Sequence, residues 1–174
     1  MRTILGLLTC FLVLQTHADP QISAAKDALI ESVLQQFWGH ARDSKGAVIQ
    51  PSSDLDRRTV PIPKSIAYRA IDAGGISGLA EWCGLDWESH YLSITAAARK
   101  RRMSDKQVAF ISFLHGTMQG KMLASRDSRC SESDRQQVAI RLAESRISGL
   151  KAPTTSRTPN KLGADYTEKH NSGH

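Results

Sequence analysis

His115 is the residue with the widest chemical range in this chain, because an imidazole can titrate, shuttle a proton or bind a metal near neutral pH. It falls on an apolar helical stripe. A catalytic role would need a partner within hydrogen-bond reach, and the polar neighbours Ser112, Thr117 and Gln119 lie on the same predicted helix without converging on it. The sequence therefore favours a buried histidine bonded to a carbonyl or hydroxyl. Glu81, Asp86 and Glu88 form a second candidate group around Trp82 and Trp87. Carboxylates beside aromatic rings are the parts of a sugar cleft, in which one acid protonates a leaving group and the other activates water. The simpler reading packs both tryptophans against a disulfide and leaves the acids in water.

Metal and nucleophile chemistry have thinner support. Asp86 with His90, and His170 with His174, are spaced to share a helical face, but two ligands fall short of the three or four that zinc requires. No serine sits in a Gly-x-Ser-x-Gly turn. The sequence thus points to no cofactor and no metal, and it leans against catalysis. A basic run, Arg99, Lys100, Arg101 and Arg102, is the best candidate for an interaction surface. Such a run meets anionic lipid, polysaccharide or an acidic protein, and Lys106, Arg126 and Arg129 are candidates to extend it. Its other reading is a solvated helix end whose charges complement the dipole.

These residues need a frame, and two cysteines mark it. Residues 1–18 carry Arg2, an apolar run from Ile4 to Leu14 and a small-residue exit at Ala18, the pattern of a cleavable signal peptide. The run is shorter than the roughly 20 residues a transmembrane helix needs, so no transmembrane anchor is expected. Cys10 lies inside that run, followed by Phe11, and lacks the small residues that precede a lipidated cysteine. Cleavage would leave Cys83 and Cys130, which an oxidising compartment would join. It would also remove one positive charge, Arg2, and no acid, taking the net charge from +6 to +5. A mildly basic balance bears on solubility and on attraction to anionic surfaces, not on fold.

The apolar periodicity predicts a small all-α bundle of about five helices, with residues 19–150 as one domain. Ile22, Ala25, Leu29, Val33 and Phe37 mark the first helix, which Gly39 stops. Residues 40–63, rich in proline and serine, read as a mobile loop in which Val48-Ile49 and Thr59-Val60 are the extended pieces. A short helix from Lys64 to Ala73 ends at Gly74-Gly75, and a further turn from Ile76 to Trp82 delivers Cys83 to the core. Asp86 caps a helix striped by Trp87, Tyr91, Ile94 and Ala98; Ser104 with Gln107 opens the next as a capping box. These two form the expected central antiparallel pair, with Gly116 and Gly120 allowing close approach. Ser131 or Ser133 caps a last helix carrying Val138, Leu142 and Ser145, and residues 151–174 read as a disordered tail.

The functional expectation is an exported protein, periplasmic or secreted, that binds an envelope protein or an anionic envelope surface without catalysis. Nucleic acid is not an expected partner. The alternative is a small exported hydrolase using His115 with Glu81, Asp86 and Glu88.

Overall fold

The structure, a computed structural model, describes residues 20–150. The expected signal peptide with Cys10, and the expected tail with His170 and His174, lie outside the described residues. Six helices follow in order: α1 (Pro20–Phe37), α2 (Asp54–Arg58), α3 (Lys64–Trp82), α4 (Trp87–Lys100), α5 (Asp105–Ala124) and α6 (Glu132–Ser148). The fold is all-α, and among the described residues the only β pairing is a single bridge between Arg42 and Val48. No helix among them is long and apolar enough to cross a membrane.

The centre of the bundle differs from the expectation. The helix beginning at Lys64 runs without a break through Gly74 and Gly75 to Trp82, and α5 packs far more extensively on it than on α4. The two helices run parallel, since Gly74 faces His115 and Gly78 faces Gln119. Glycine inside a helix costs about 1 kcal/mol relative to alanine, which is why the Gly74-Gly75 pair reads as a stop. Here close packing offsets that cost. A Cβ on Gly74 would collide with the backbone carbonyl of His115, and one on Gly78 would lie 2.7 Å from the carbonyl oxygen of Gln119. The expected glycines of α5, Gly116 and Gly120, face open space instead.

Around this pair α1 packs against α5 and α3, while α6 packs against α3 and α4. The main core gathers Val33, Phe37, Ala67, Ala70, Ile94, Phe110, Ile111 and Leu114, with Leu150 closing it after α6. The apolar face of α1 is rotated toward Ile30, Val33 and Phe37, which leaves Ile22 exposed. On α6 the expected inward residues Val138 and Leu142 are buried, whereas Ile140 and Ile147 face solvent.

Cys83 and Cys130 are joined, their Cα atoms 5.2 Å apart across 47 residues of sequence. The staple ties the end of α3 to the segment entering α6. Ala80, Val138 and Leu142 pack around it with Trp82 and Trp87, as the simpler reading of the tryptophans requires. Trp82 also donates from its indole to the carbonyl of Ser128 at 2.7 Å, and Arg126 lies over its ring. The expected caps are present: Asp86 accepts from Ser89 N, Ser104 forms a capping box with Gln107, and Ser131 forms one with Asp134.

Residues 40–63 carry a short helix and bond to residues outside the stretch. Ser53 caps α2, which occupies part of the stretch, and Val48 pairs with Arg42. The carboxylate of Asp56 accepts from Ser52 N at 2.9 Å and from Lys106 Nζ at 2.7 Å. The Lys106 bond, then the Ser52 amide, holds Asp56 well below the usual carboxylate range, at about 2. Trp38 donates to the carbonyl of Arg57, Gln107 donates to that of Pro61, and Ile62 is buried. The ties to Trp38, Lys106 and Gln107 come from residues distant in sequence, so local composition could not announce them.

Candidate functional site

The close approach of α3 and α5 sets up the most unusual chemistry in the molecule. Between Gly74 and Gly78 stands Ser77, and the short interhelical distance brings its hydroxyl 2.9 Å from Nε2 of His115. The same hydroxyl lies 2.7 Å from Nδ1 of His90 on α4. His90 Nε2 in turn lies 2.8 Å from the hydroxyl of Ser145 on α6. Four helices thus contribute one side chain each to a chain of three hydrogen bonds. Ser77, His90 and His115 are fully buried; Ser145 is half-buried at its outer end.

Burial sets the protonation states. Desolvation lowers both imidazoles from 6.5 to about 4; the positive charge of Arg146 adds to the effect at His90, as His90 does at His115. Both rings are neutral at pH 7, so each has one N–H and one acceptor nitrogen. The direction of the chain follows from His115 Nδ1, which is buried without a hydrogen-bond partner. An orphaned N–H is rarer in protein interiors than an under-satisfied acceptor, so the proton sits on His115 Nε2. His115 then donates to Ser77, Ser77 donates to His90 Nδ1, and His90 Nε2–H donates to Ser145. The hydroxyl proton of Ser145 remains free.

This polarity runs against nucleophilic catalysis. An activated serine must donate to its histidine: Ser77 does so but is fully buried, out of reach of a substrate, whereas the half-buried Ser145 accepts from His90. Reversing the chain would place an unpaired N–H on His115 in the core, and among the described residues no carboxylate bonds to either ring to stabilise an imidazolium.

The three acidic candidates are not brought to this chain. Glu81 accepts from Gln119 at 2.7 Å. Asp86 caps α4 and pairs with Arg146 at 3.0 Å; its bonds from Ser89, more than the Arg146 charge, lower its pKa. Glu88 is exposed in the first turn of α4. The carboxylate pair that a sugar hydrolase needs does not converge, and Asp86 and His90 are engaged in separate bonds rather than facing a common metal. Among the described residues there is no group of three or more His, Cys, Asp or Glu placed to hold a metal ion.

Sequence reasoning found His115 but missed its partners. His90, Ile94 and Ala98 recur at four-residue spacing and are the three buried residues of α4, a pattern that carries His90 inward where Tyr91 was expected. Tyr91 instead packs beside His115 with ring centroids 5.1 Å apart.

The basic run lies at the end of α4 and in the turn to α5, and all four residues are exposed. Arg99 makes a long pair with Asp105 at 3.6 Å; Lys100, Arg101 and Arg102 have no ion-pair partner among the described residues. Lys106 is taken up by Asp56, and Arg126 and Arg129 lie past the far end of α5, about 30 Å along its axis. The patch is therefore smaller than the sequence suggested. Its backbone is unusual: Arg102 has φ 57°, the one non-glycine residue with positive φ among those described. It occupies the position after the helix cap that glycine ordinarily fills, with Arg102 N bonded to Arg99 O and Met103 N to Ala98 O. The end of α3 makes the same pair of bonds, Gly84 N to Glu81 O and Leu85 N to Ala80 O, with Gly84 at φ 64°.

No family model matches this chain, and no characterised protein or solved structure is significantly similar to it.

Proposed function

We propose that this protein is exported, to the periplasm or beyond the cell, and acts without catalysis by binding an acidic surface of an envelope protein through Arg99, Lys100, Arg101 and Arg102. The observation that carries the reading is Arg102 in a left-handed backbone position. A side chain there costs roughly 1–2 kcal/mol relative to glycine, and the matching turn after α3 avoids that cost with Gly84. A strained arginine kept beside two unpaired basic residues is accounted for by contact with an anionic partner. Export rests on the signal-like residues 1–18 and fits the Cys83–Cys130 disulfide.

The test is capture of partners from envelope extract by the mature protein at low and moderate salt, beside an Arg101→Glu/Arg102→Glu variant. Support would be a specific partner that weakens as salt rises and disappears with the variant. Capture that ignores both salt and charge reversal would refute the reading and direct attention to the apolar faces or residues 40–63. Retention on anionic vesicles, with no protein captured, would replace the acidic protein by a lipid surface.

A further inference from the structure

An open cleft of about 740 Å³ lies between α3 and α6, lined by Arg69, Asp72, Arg141, Glu144, Ser145 and residues near them. Its volume is that of a small-molecule or short-peptide site. The lining is not explained by internal bonding. Arg69 Nε is buried with no hydrogen-bond partner, and Arg141 makes no ion pair or hydrogen bond among the described residues. Arg69 lines the cleft and makes no ion pair among the described residues, so its guanidinium charge is uncompensated there. Ser145 adds a third donor: its oxygen accepts from His90, which leaves its hydroxyl proton for the cleft.

Charge narrows the class of ligand. Asp72 is neutralised by Lys26 at 2.5 Å, so the uncompensated groups are two arginines and Glu144. That combination suits a ligand with one anionic and one cationic group, and it disfavours a compact dianion such as phosphate. Past Asp72, Ile76 and Arg141 the cleft continues into an apolar groove of about 390 Å³, floored by Leu29, Leu79, Met118 and Met122. Methionine side chains adapt to differently shaped apolar partners. From these features we propose that the cleft binds the free carboxyl end of a short peptide. The carboxylate lies against Arg69, Arg141 and the Ser145 hydroxyl, an adjacent apolar side chain enters the groove, and the peptide amine faces Glu144.

The experiment titrates the mature protein with the tripeptide Ala-Ala-Leu, its carboxy-terminal amide, its amino-acetylated form, and inorganic phosphate, followed by calorimetry and by the imidazole ¹⁵N signals of His90. The free acid binds, its amide binds at least about tenfold more weakly, and Arg141→Gln reduces binding of the acid by a similar factor. Arg141 is exposed and unpartnered, so its replacement leaves the fold intact, as circular dichroism will show. Glu144→Gln weakens the free-amine peptide and leaves the acetylated one unchanged. Because Ser145 is bonded to His90, occupancy shifts the His90 ¹⁵N signals even though no ligand atom reaches that ring. The proposal is overturned by no binding up to about 10 mM, well short of useful affinity. It is equally overturned by equal binding of acid and amide, by phosphate competing as well as peptide, or by indifference to Arg141→Gln.

Discussion

Acid should unfold this protein through two particular side chains. His90 and His115 are lowered to about 4 in the folded state from 6.5 in the unfolded chain. As pH falls, the unfolded chain takes up protons first. The contribution of the two rings is therefore complete above about pH 6.5, falls through the window down to about pH 4, and levels off when the folded rings also protonate. Each pKa unit corresponds to about 1.36 kcal/mol, so between pH 7.5 and pH 4.5 each ring contributes a loss of about 2.5 kcal/mol, and the two together about 5. That is a large share of the roughly 5–15 kcal/mol by which domains of this size are stable. Urea denaturation followed by tryptophan fluorescence across that range measures it. Replacing His115 with Gln removes one titrating ring, so the loss should fall by about half even though the variant starts less stable at pH 7.5. Exposed histidines such as His40 are common to both proteins and cancel in the comparison. Wild-type stability that is flat from pH 7.5 to 4.5, or an unchanged loss in the variant, would refute the assignment of neutral buried rings.

Three further outcomes follow from the packing. Gly78→Ala should destabilise by about 1–3 kcal/mol, because its Cβ would press on Gln119 O and Met122 Cβ, both at 2.7 Å, whereas Gly116→Ala and Gly120→Ala should stabilise by up to about 1 kcal/mol each in chemical denaturation. Arg102→Gly should raise stability by about 1 kcal/mol while weakening partner capture, a pairing of opposite signs that a purely structural residue would not show. Cys83→Ser should cost about 4 kcal/mol by the chain-entropy relation for a 47-residue separation, read as a lower melting temperature, while Glu88→Gln should leave it unchanged.

How much of this was legible in the residues depends on how local its causes are. The helix caps at Asp86, Ser104 and Ser131 rest on side chains within three residues of the backbone they bond, so the sequence displays them directly. The disulfide was legible because export would leave two cysteines and an oxidising compartment would join them. Gly74-Gly75 misled for the opposite reason: whether a glycine pair ends a helix depends on whether another helix needs the space, and α5 does. His90 hid behind Tyr91, since an apolar stripe counts aromatic rings and passes over a histidine whose burial depends on Ser77 and Ser145 from other helices. The ties of residues 40–63 to Lys106 and Gln107, and the unpaired Arg69, are likewise products of chain reversal rather than of composition.

The chain of bonds from His115 through Ser77 and His90 to Ser145 underlies both the acid sensitivity and the free hydroxyl at the cleft, and its polarity is directly observable. Long-range ¹H–¹⁵N correlation of the histidine side chains at pH 7 reports which ring nitrogen carries the proton. His90 and His115 should both be neutral with the proton on Nε2. A proton on Nδ1 of either ring, or a doubly protonated imidazolium, would contradict it.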